Sequence, residues 1–125
     1  MRISGTPWVT LRMSVDNRTA ANLTAVLVDY GAQMVTRGWP DPQNRNGSGS
    51  LQPVEPEQRY TMRWDLQPDD HVFRAGHRIG LVVVSTDYDY TLRPRPGTQL
   101  TLASGASEVS LPVVGGAGAL GAAIR

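Results

Sequence analysis

Two histidines, His71 and His77, lie close to a pair of aspartates, Asp69 and Asp70. These residue types act as general bases or zinc ligands in enzymes. The sequence around them predicts a turn, and their spacing is not one that presents two imidazoles to a single metal ion. We therefore predict no metal site and no catalytic histidine, and assign both rings to local hydrogen bonds.

The sequence also contains no string that supports a serine nucleophile. An α/β-hydrolase needs a G-x-S-x-G turn between a strand and a helix. The nearest string, Gly47-Ser48-Gly49-Ser50, has another spacing and lies in a proline-flanked loop. The acidic string Asp87-Tyr88-Asp89-Tyr90 offers two carboxylates, but no D-x-D-x-D-G calcium loop follows. The sequence thus predicts no catalytic residue, no cofactor and no metal ligand.

Aromatic side chains are the remaining candidates for a binding surface. Trp39, Trp64, Tyr88 and Tyr90 could form a sugar-stacking platform, as in sandwich-type carbohydrate-binding modules. Trp64 shares the apolar side of an alternating segment with Met62, which favours core packing instead. A carbohydrate-binding module stays open as an alternative function.

The overall composition excludes several classes of partner. The 125 residues include 12 basic and 11 acidic ones, every basic residue is arginine, and cysteine is absent. No basic stripe emerges, so we expect no nucleic acid partner. No apolar run approaches the roughly 20 residues of a membrane helix, so we expect no membrane partner. The first residues lack the apolar centre of a signal peptide, and the compartment stays unknown.

Period-two alternation and short apolar runs between turn residues predict seven strands and no amphipathic helix. The predicted strands are Trp8–Val15, Asn22–Tyr30, Gln33–Trp39, Tyr60–Leu66, Arg78–Ser85, Gln99–Ala103 and Glu108–Val114. This pattern is typical of an all-β fold, an antiparallel β-sandwich or jelly roll. We predict one domain over residues 1–116 and a flexible Gly/Ala tail over residues 117–125.

Several strings, taken in order, resemble the C-terminal domain of the X-Pro dipeptidyl-peptidases and the related cocaine-esterase-type acyl hydrolases. They are Gly5-Thr6-Pro7, Ala21-Asn22-Leu23-Thr24-Ala25 with Val28-Asp29-Tyr30, Thr36-Arg37-Gly38-Trp39 with Asp41-Pro42, Tyr60-Thr61-Met62-Arg63-Trp64-Asp65-Leu66, Phe73-Arg74-Ala75-Gly76-His77-Arg78-Ile79, Ser85-Thr86-Asp87-Tyr88 and Leu111-Pro112-Val113-Val114-Gly115-Gly116. The resemblance implies a galactose-binding-domain-like jelly roll that follows an α/β-hydrolase domain. The catalytic serine, aspartate and histidine of the family lie in that other domain, and none maps onto this chain.

What the resemblance implies is an accessory, non-catalytic role. The parent enzyme would release Xaa-Pro dipeptides from peptide N-termini through an acyl-enzyme, and this chain would pack on the hydrolase domain and help to shape the substrate cleft. We place the contact surface in the loops Pro40–Gln58 and Asp87–Pro96. The candidate contact residues are Trp39, Asp41, Asp87, Tyr88, Tyr90 and Arg93. A free-standing domain without a ligand is a third hypothesis.

Two further expectations come from the same comparison. The string Gly76-His77-Arg78 is structural: the glycine permits a tight turn, His77 bonds to the turn backbone and Arg78 pairs with a carboxylate. The chain begins at Met1, where the family's jelly roll is already under way, so an initial strand would be missing. Because an open sheet edge invites pairing, we expect self-association into a homo-oligomer.

Overall fold

The computed structural model describes residues 1–47 and 49–124, and within them the protein has nine strands and one α-helix. The strands are β1 (Arg2–Gly5), β2 (Trp8–Val15), β3 (Thr24–Tyr30), β4 (Gln33–Gly38), β5 (Arg59–Asp65), β6 (Asp69–Val72), β7 (Arg78–Val84), β8 (Leu100–Leu102) and β9 (Glu108–Ser110). The helix α1 covers Gly116–Ala123, and two single 3-10 turns cover Pro42–Asn44 and Ser104–Ala106. In these described ranges, no helix is long and apolar enough to span a membrane.

The strands form two sheets and a two-stranded ribbon. In the first sheet, β2 pairs with β5 on one side and with β8 and β9 on the other. In the second, the β3 sheet, β3 lies between β4 and β7. The ribbon joins β1 to β6. Every pairing is antiparallel, so the predicted all-β antiparallel sandwich is confirmed, while the jelly-roll topology stays a prediction.

The core lies between the two sheets because their strands present apolar side chains to each other. Val9 and Leu11 from β2 and Leu27 from β3 belong to one buried cluster. Ile3 from β1 and Phe73, directly after β6, also belong to it. Each such side chain stabilises the fold by about 1.5–3 kcal/mol when fully buried. The sandwich therefore holds the end of β3 and the beginning of β7 close to the β1–β6 ribbon.

The structure differs from the sequence-based prediction in two elements at the ribbon. Neither β1 nor β6 was predicted, because their sequences are short and β6 is polar. They form because each supplies the other's backbone partners, with Ile3 opposite His71. Pairing over such a distance in sequence leaves no local pattern.

The C-terminal segment contains regular structure, since α1 forms over Gly116–Ala123. The flexibility of the tail over residues 117–125 stays a prediction. Alanine and leucine favour a helix intrinsically, and Ala119 and Leu120 are only partly exposed. The predicted end of the domain at residue 116 stays a prediction, and Arg125 lies outside the described residues.

Candidate functional site

A buried carboxylate brings the two histidines together. Asp29 is 1% exposed. Its Oδ2 lies 2.8 Å from His71 Nε2, and its Oδ1 lies 2.9 Å from His77 Nδ1. Each ring N–H donates to a separate carboxylate oxygen, so both oxygens have a partner. We call this group the Asp29 clamp.

Three different segments supply the Asp29 clamp. Asp29 stands near the end of β3 on the side that faces the core, and His71 comes from β6. His77 follows a turn in which Gly76 has a φ of +84°. The His71 and Phe73 rings pack edge to face, with centroids 4.7 Å apart and planes at 80°. The clamp therefore fixes the ribbon and the turn before β7 against β3.

The predicted role of His77 needs correction. Its ring bonds to Asp29 and not to the turn backbone, since a local bond would leave the buried Oδ1 of Asp29 without the donor that His77 supplies. The turn is closed instead by the His77 backbone N–H, which donates to the Arg74 carbonyl. Arg78 is exposed, and among the described residues it has no carboxylate within ion-pair distance.

Sequence reasoning quoted Asp29 in a family string but did not identify it as a site residue. Its one available signal was a lone acid in the otherwise apolar run of β3, Thr24–Tyr30. Such a residue must find hydrogen-bond donors when it is buried. The sequence cannot say which donors, because His71 and His77 are 42 and 48 residues away.

The electrostatics of the clamp point to a structural role. Burial alone would raise the pKa of Asp29, but hydrogen bonds from His71 and His77, together with their charge, hold that pKa below its ordinary value. The carboxylate is thus ionised and fully engaged at neutral pH. Over residues 1–47 and 49–124, no group of three or more His, Asp or Glu side chains is placed to hold a metal ion. Ser48, part of the serine string considered above, lies outside the described residues.

A second group of side chains forms at the surface beside β4. Asp87 Oδ2 accepts hydrogen bonds from Trp39 Nε1 at 2.8 Å and from Arg37 at 2.9 Å. The Tyr90 ring packs on Trp39, with centroids 5.5 Å apart, and the Arg37 guanidinium lies over it. The bond from Trp39, followed by that from Arg37, holds the pKa of Asp87 below its ordinary value despite partial burial. We call these four residues the Trp39 cluster.

The structure thus brings together three of the six predicted contact residues, with Arg37 as the member that the sequence missed. The side chains of the other three, Asp41, Tyr88 and Arg93, make other contacts. Asp41 caps the 3-10 turn by accepting the Gln43 backbone N–H at 2.9 Å, which is a local structural role. Arg93 lies 4.2 Å above the ring of Tyr88, which is 70% exposed.

The outer face of the β3 sheet is apolar. Side chains of β3 alternate, so Val26, Val28 and Tyr30 point away from the core. Across the register Val82 of β7 lies opposite Val26, and Met34 of β4 lies opposite Val28. Tyr30 and Met34 are 51% and 44% exposed. The Trp39 cluster borders this face through Arg37, which lies opposite Val26.

The other sheet shows that this apolar surface is not a general property of the molecule. The outward positions of β2 and β5 hold Thr10, Arg12, Thr61 and Arg63, and the ring of Trp8 at the beginning of β2 lies under the Arg63 guanidinium. Arg12 donates to the Thr61 hydroxyl at 3.0 Å on this polar face. A strand buried on one side alternates in this way, whereas a strand buried on both sides is apolar throughout. By that criterion β3 and β7 have the sequences of strands covered on both sides.

The fold and these surfaces define a β-sandwich module with a structural clamp and an uncovered apolar face. The family described as the X-Pro dipeptidyl-peptidase C-terminal non-catalytic domain matches residues 1–118. The chain belongs to this family, as its sequence strings indicated.

Individual relatives agree with this assignment. The chain is 52% identical over 116 residues to a Bacillus cereus protein that carries an Xaa-Pro dipeptidyl-peptidase name, covering 90% of this chain and 20% of that protein. It is 46% identical over 126 residues to a Rhodopirellula baltica protein of the same name, covering 93% and 20%. A Pediococcus pentosaceus Xaa-Pro dipeptidyl-peptidase is 36% identical over 61 residues, covering 49% and 8%. The chain spans about a fifth of the length of the first two relatives.

Proposed function

We propose that this chain is the accessory domain of an Xaa-Pro dipeptidyl-peptidase and that it docks on the catalytic part of that polypeptide through the outer face of the β3 sheet. The parent releases Xaa-Pro dipeptides from peptide N-termini through an acyl-enzyme, with its catalytic serine, aspartate and histidine outside these residues. The domain completes the fold of the parent and helps to shape its substrate cleft.

The observation that carries the proposal is the contrast between the two outer faces. Val28, Tyr30 and Met34 expose apolar surface on one sheet, whereas the outward positions of β2 and β5 carry hydroxyl and guanidinium groups, with the Trp8 ring under the Arg63 guanidinium. A contiguous apolar face with a polar border is typical of a protein contact surface. The occupant follows from the relatives, since about four fifths of their length lies outside the part that this chain matches.

The Trp39 cluster suits the border of such a contact. Its arginine and aromatic rings are residue types that are enriched at interfaces. The Trp39 and Tyr90 planes are inclined by 32° and pack on each other. Trp39 Nε1 also donates a hydrogen bond to Asp87. This packing favours a rigid border over a flat sugar-stacking platform, so the carbohydrate-binding alternative becomes an outcome of the test.

A chimera tests the docking face. The matching 116-residue segment of the Bacillus cereus relative is replaced by this chain, and Met34→Glu is compared with Thr61→Glu. Met34 is already partly exposed, so a glutamate at this position should lower the stability of the isolated domain only slightly. At the proposed contact, the new carboxylate would be buried without a hydrogen-bond partner. Thr61→Glu is the matched control, because the new carboxylate lies beside Arg12 on the polar face.

We expect Met34→Glu to lower the melting temperature and the Xaa-Pro hydrolysis of the chimera, with Thr61→Glu close to the unsubstituted chimera. The two isolated domains should melt alike. Equal behaviour of both variants in the chimera would contradict the docking face. Hydrolysis of an Xaa-Pro chromogenic substrate by the isolated chain would contradict the non-catalytic role. Glycan binding that disappears in Trp39→Ala would favour the carbohydrate alternative.

A further inference from the structure

Strand β7 has a free edge. It pairs with β3 along its whole length, from Arg78 to Val84. Within the described part of the chain, no strand pairs with its other side. The opposite edge of the same sheet is covered, because Gln67 N donates to the Arg37 carbonyl at 2.9 Å and Thr36 Oγ1 donates to the Gln67 carbonyl at 2.6 Å.

The sequence of β7 is not that of a solvent-facing edge. Natural edge strands are protected by charges, proline or a bulge, since unpaired backbone groups otherwise recruit another strand. The opposite edge strand, β4, has such an irregularity where it pairs with Leu27 and Val28. Strand β7 has regular pairing, no proline and a single charged residue, Arg78, at its beginning.

The core beside β7 is also incomplete. Ile79, Leu81 and Val83 pack against the buried cluster but remain only partly buried. An open cleft of about 570 Å³ adjoins the beginning of the strand, and Met1, Phe73, Ile79 and Ile124 contribute to its lining. Side chains of one more strand would cover these inner positions and enter the cleft.

We propose that β7 accepts a fourth strand, an extended segment of the parent polypeptide from outside residues 1–125, paired antiparallel to it. Antiparallel pairing continues the pattern of both sheets. The added strand supplies backbone partners to the free edge and alternating apolar side chains to the core. This inference rests on the proposed function. It adds that part of the contact between this chain and the rest of the parent polypeptide is a β-strand pairing.

The parent segment is favoured over a second copy of this chain as the occupant. The relatives are about five times longer than the matched segment, so much polypeptide lies outside it. A tethered segment meets β7 at an effective concentration in the millimolar range, which a separate copy does not reach in ordinary solution. Self-association through β7 is what we expect only when the parent segment is absent.

Hydrogen exchange at residue resolution tests this pairing. In a strand paired on one side, backbone N–H groups point alternately to the partner and to solvent. In the dilute isolated chain, every second amide between Ile79 and Val84 should therefore exchange rapidly. In the chimera with the Bacillus cereus relative, we expect those amides to slow by about tenfold or more. Amides of β3, which is paired on both sides, serve as the internal control.

Each other result overturns the inference in a distinguishable way. If the alternate β7 amides still exchange rapidly in the chimera while Met34→Glu lowers its melting temperature and its Xaa-Pro hydrolysis, the docking proposal stands and the added strand is wrong. If Met34→Glu has no effect and the amides stay rapid, both are wrong. Slow exchange already in the dilute isolated chain would mean that the edge is closed within this chain. Slowing that occurs only at high concentration of the isolated chain, and not in the chimera, would identify a second copy as the occupant.

Discussion

His71 Nε2 donates to Asp29 Oδ2 across 2.8 Å, although the two residues are 42 positions apart in sequence. The bond joins β6, a short polar strand, to the core-facing side of β3. His77 occupies the second carboxylate oxygen and joins the turn before β7. The two histidines, residue types that serve as general bases in enzymes, thus hold β6 and the turn before β7 against the end of β3.

Acid should destabilise the protein through Asp29. Its pKa in the folded state lies below the value of about 3.9 for an unfolded chain, so its contribution to stability is present above that value. The contribution is lost as the pH falls through the lower, folded-state pKa. We expect the free energy of unfolding, measured in urea from about pH 6 to about pH 3, to fall more steeply for the wild type than for Asp29→Asn. Parallel curves would show that Asp29 does not titrate in this way.

Asp29→Asn is the suitable variant because it preserves size and one acceptor. The amide oxygen can still accept from one imidazole, while the amide NH₂ faces the other. At neutral pH the variant should therefore be less stable than the wild type but folded. Asp89→Asn is the control, since Asp89 is exposed. It should leave both stability and its pH dependence almost unchanged.

Gly31 is held in contact with the clamp. It has a φ of +131°, and a Cβ added there would lie 3.0 Å from His77 Cδ2. Gly47 has a similar φ of +126° and meets nothing within 4 Å. We expect Gly31→Ala to cost about 1–3 kcal/mol of unfolding free energy, and more than Gly47→Ala, because only the first adds a steric clash to backbone strain. Equal losses in denaturant unfolding would show that His77 moves aside freely.

The surface loop that follows β7 depends on Asp87. Its carboxylate holds Arg37 and Trp39, so Asp87→Ala should release the loop from β4. We expect chymotrypsin to cleave after Tyr90 about threefold faster or more in this variant, because cleavage requires local opening. Asp89→Ala serves as the control, and an unchanged cleavage rate in Asp87→Ala would show that the cluster does not restrain the loop.

The sequence predicted the parts of this protein that depend on local pattern. Alternation in β2 and β5 identified their inner faces, and the apolar runs of β3 and β7 identified two strands. The types of Trp39, Asp87 and Tyr90 marked a surface that the structure assembles into one cluster. These inferences need only neighbours in sequence.

The rest depended on contacts between distant segments. Strand β6 forms because β1 lies beside it, and Asp29 finds its donors in β6 and in the turn before β7. The apolar run of β3 also gave no sign that one of its faces would be left uncovered. Such features follow from tertiary pairing, for which a single sequence has no local pattern.

Gly38, at the end of β4, provides the sharpest test of the packing between β4 and the end of β5. A Cβ at this position would lie 2.6 Å from the Asp65 carbonyl oxygen and 2.9 Å from Leu66 Cδ2. Because the first of these atoms belongs to the backbone, the strands must separate to admit it. We expect Gly38→Ala to lower the free energy of unfolding by about 1–3 kcal/mol.

Gly105→Ala is the control, since its Cβ would meet nothing within 4 Å. This substitution should leave the free energy of unfolding unchanged or raise it slightly. Urea unfolding of both variants decides the matter, and a Gly38→Ala protein as stable as the control would mean that β4 and the end of β5 do not approach each other this closely.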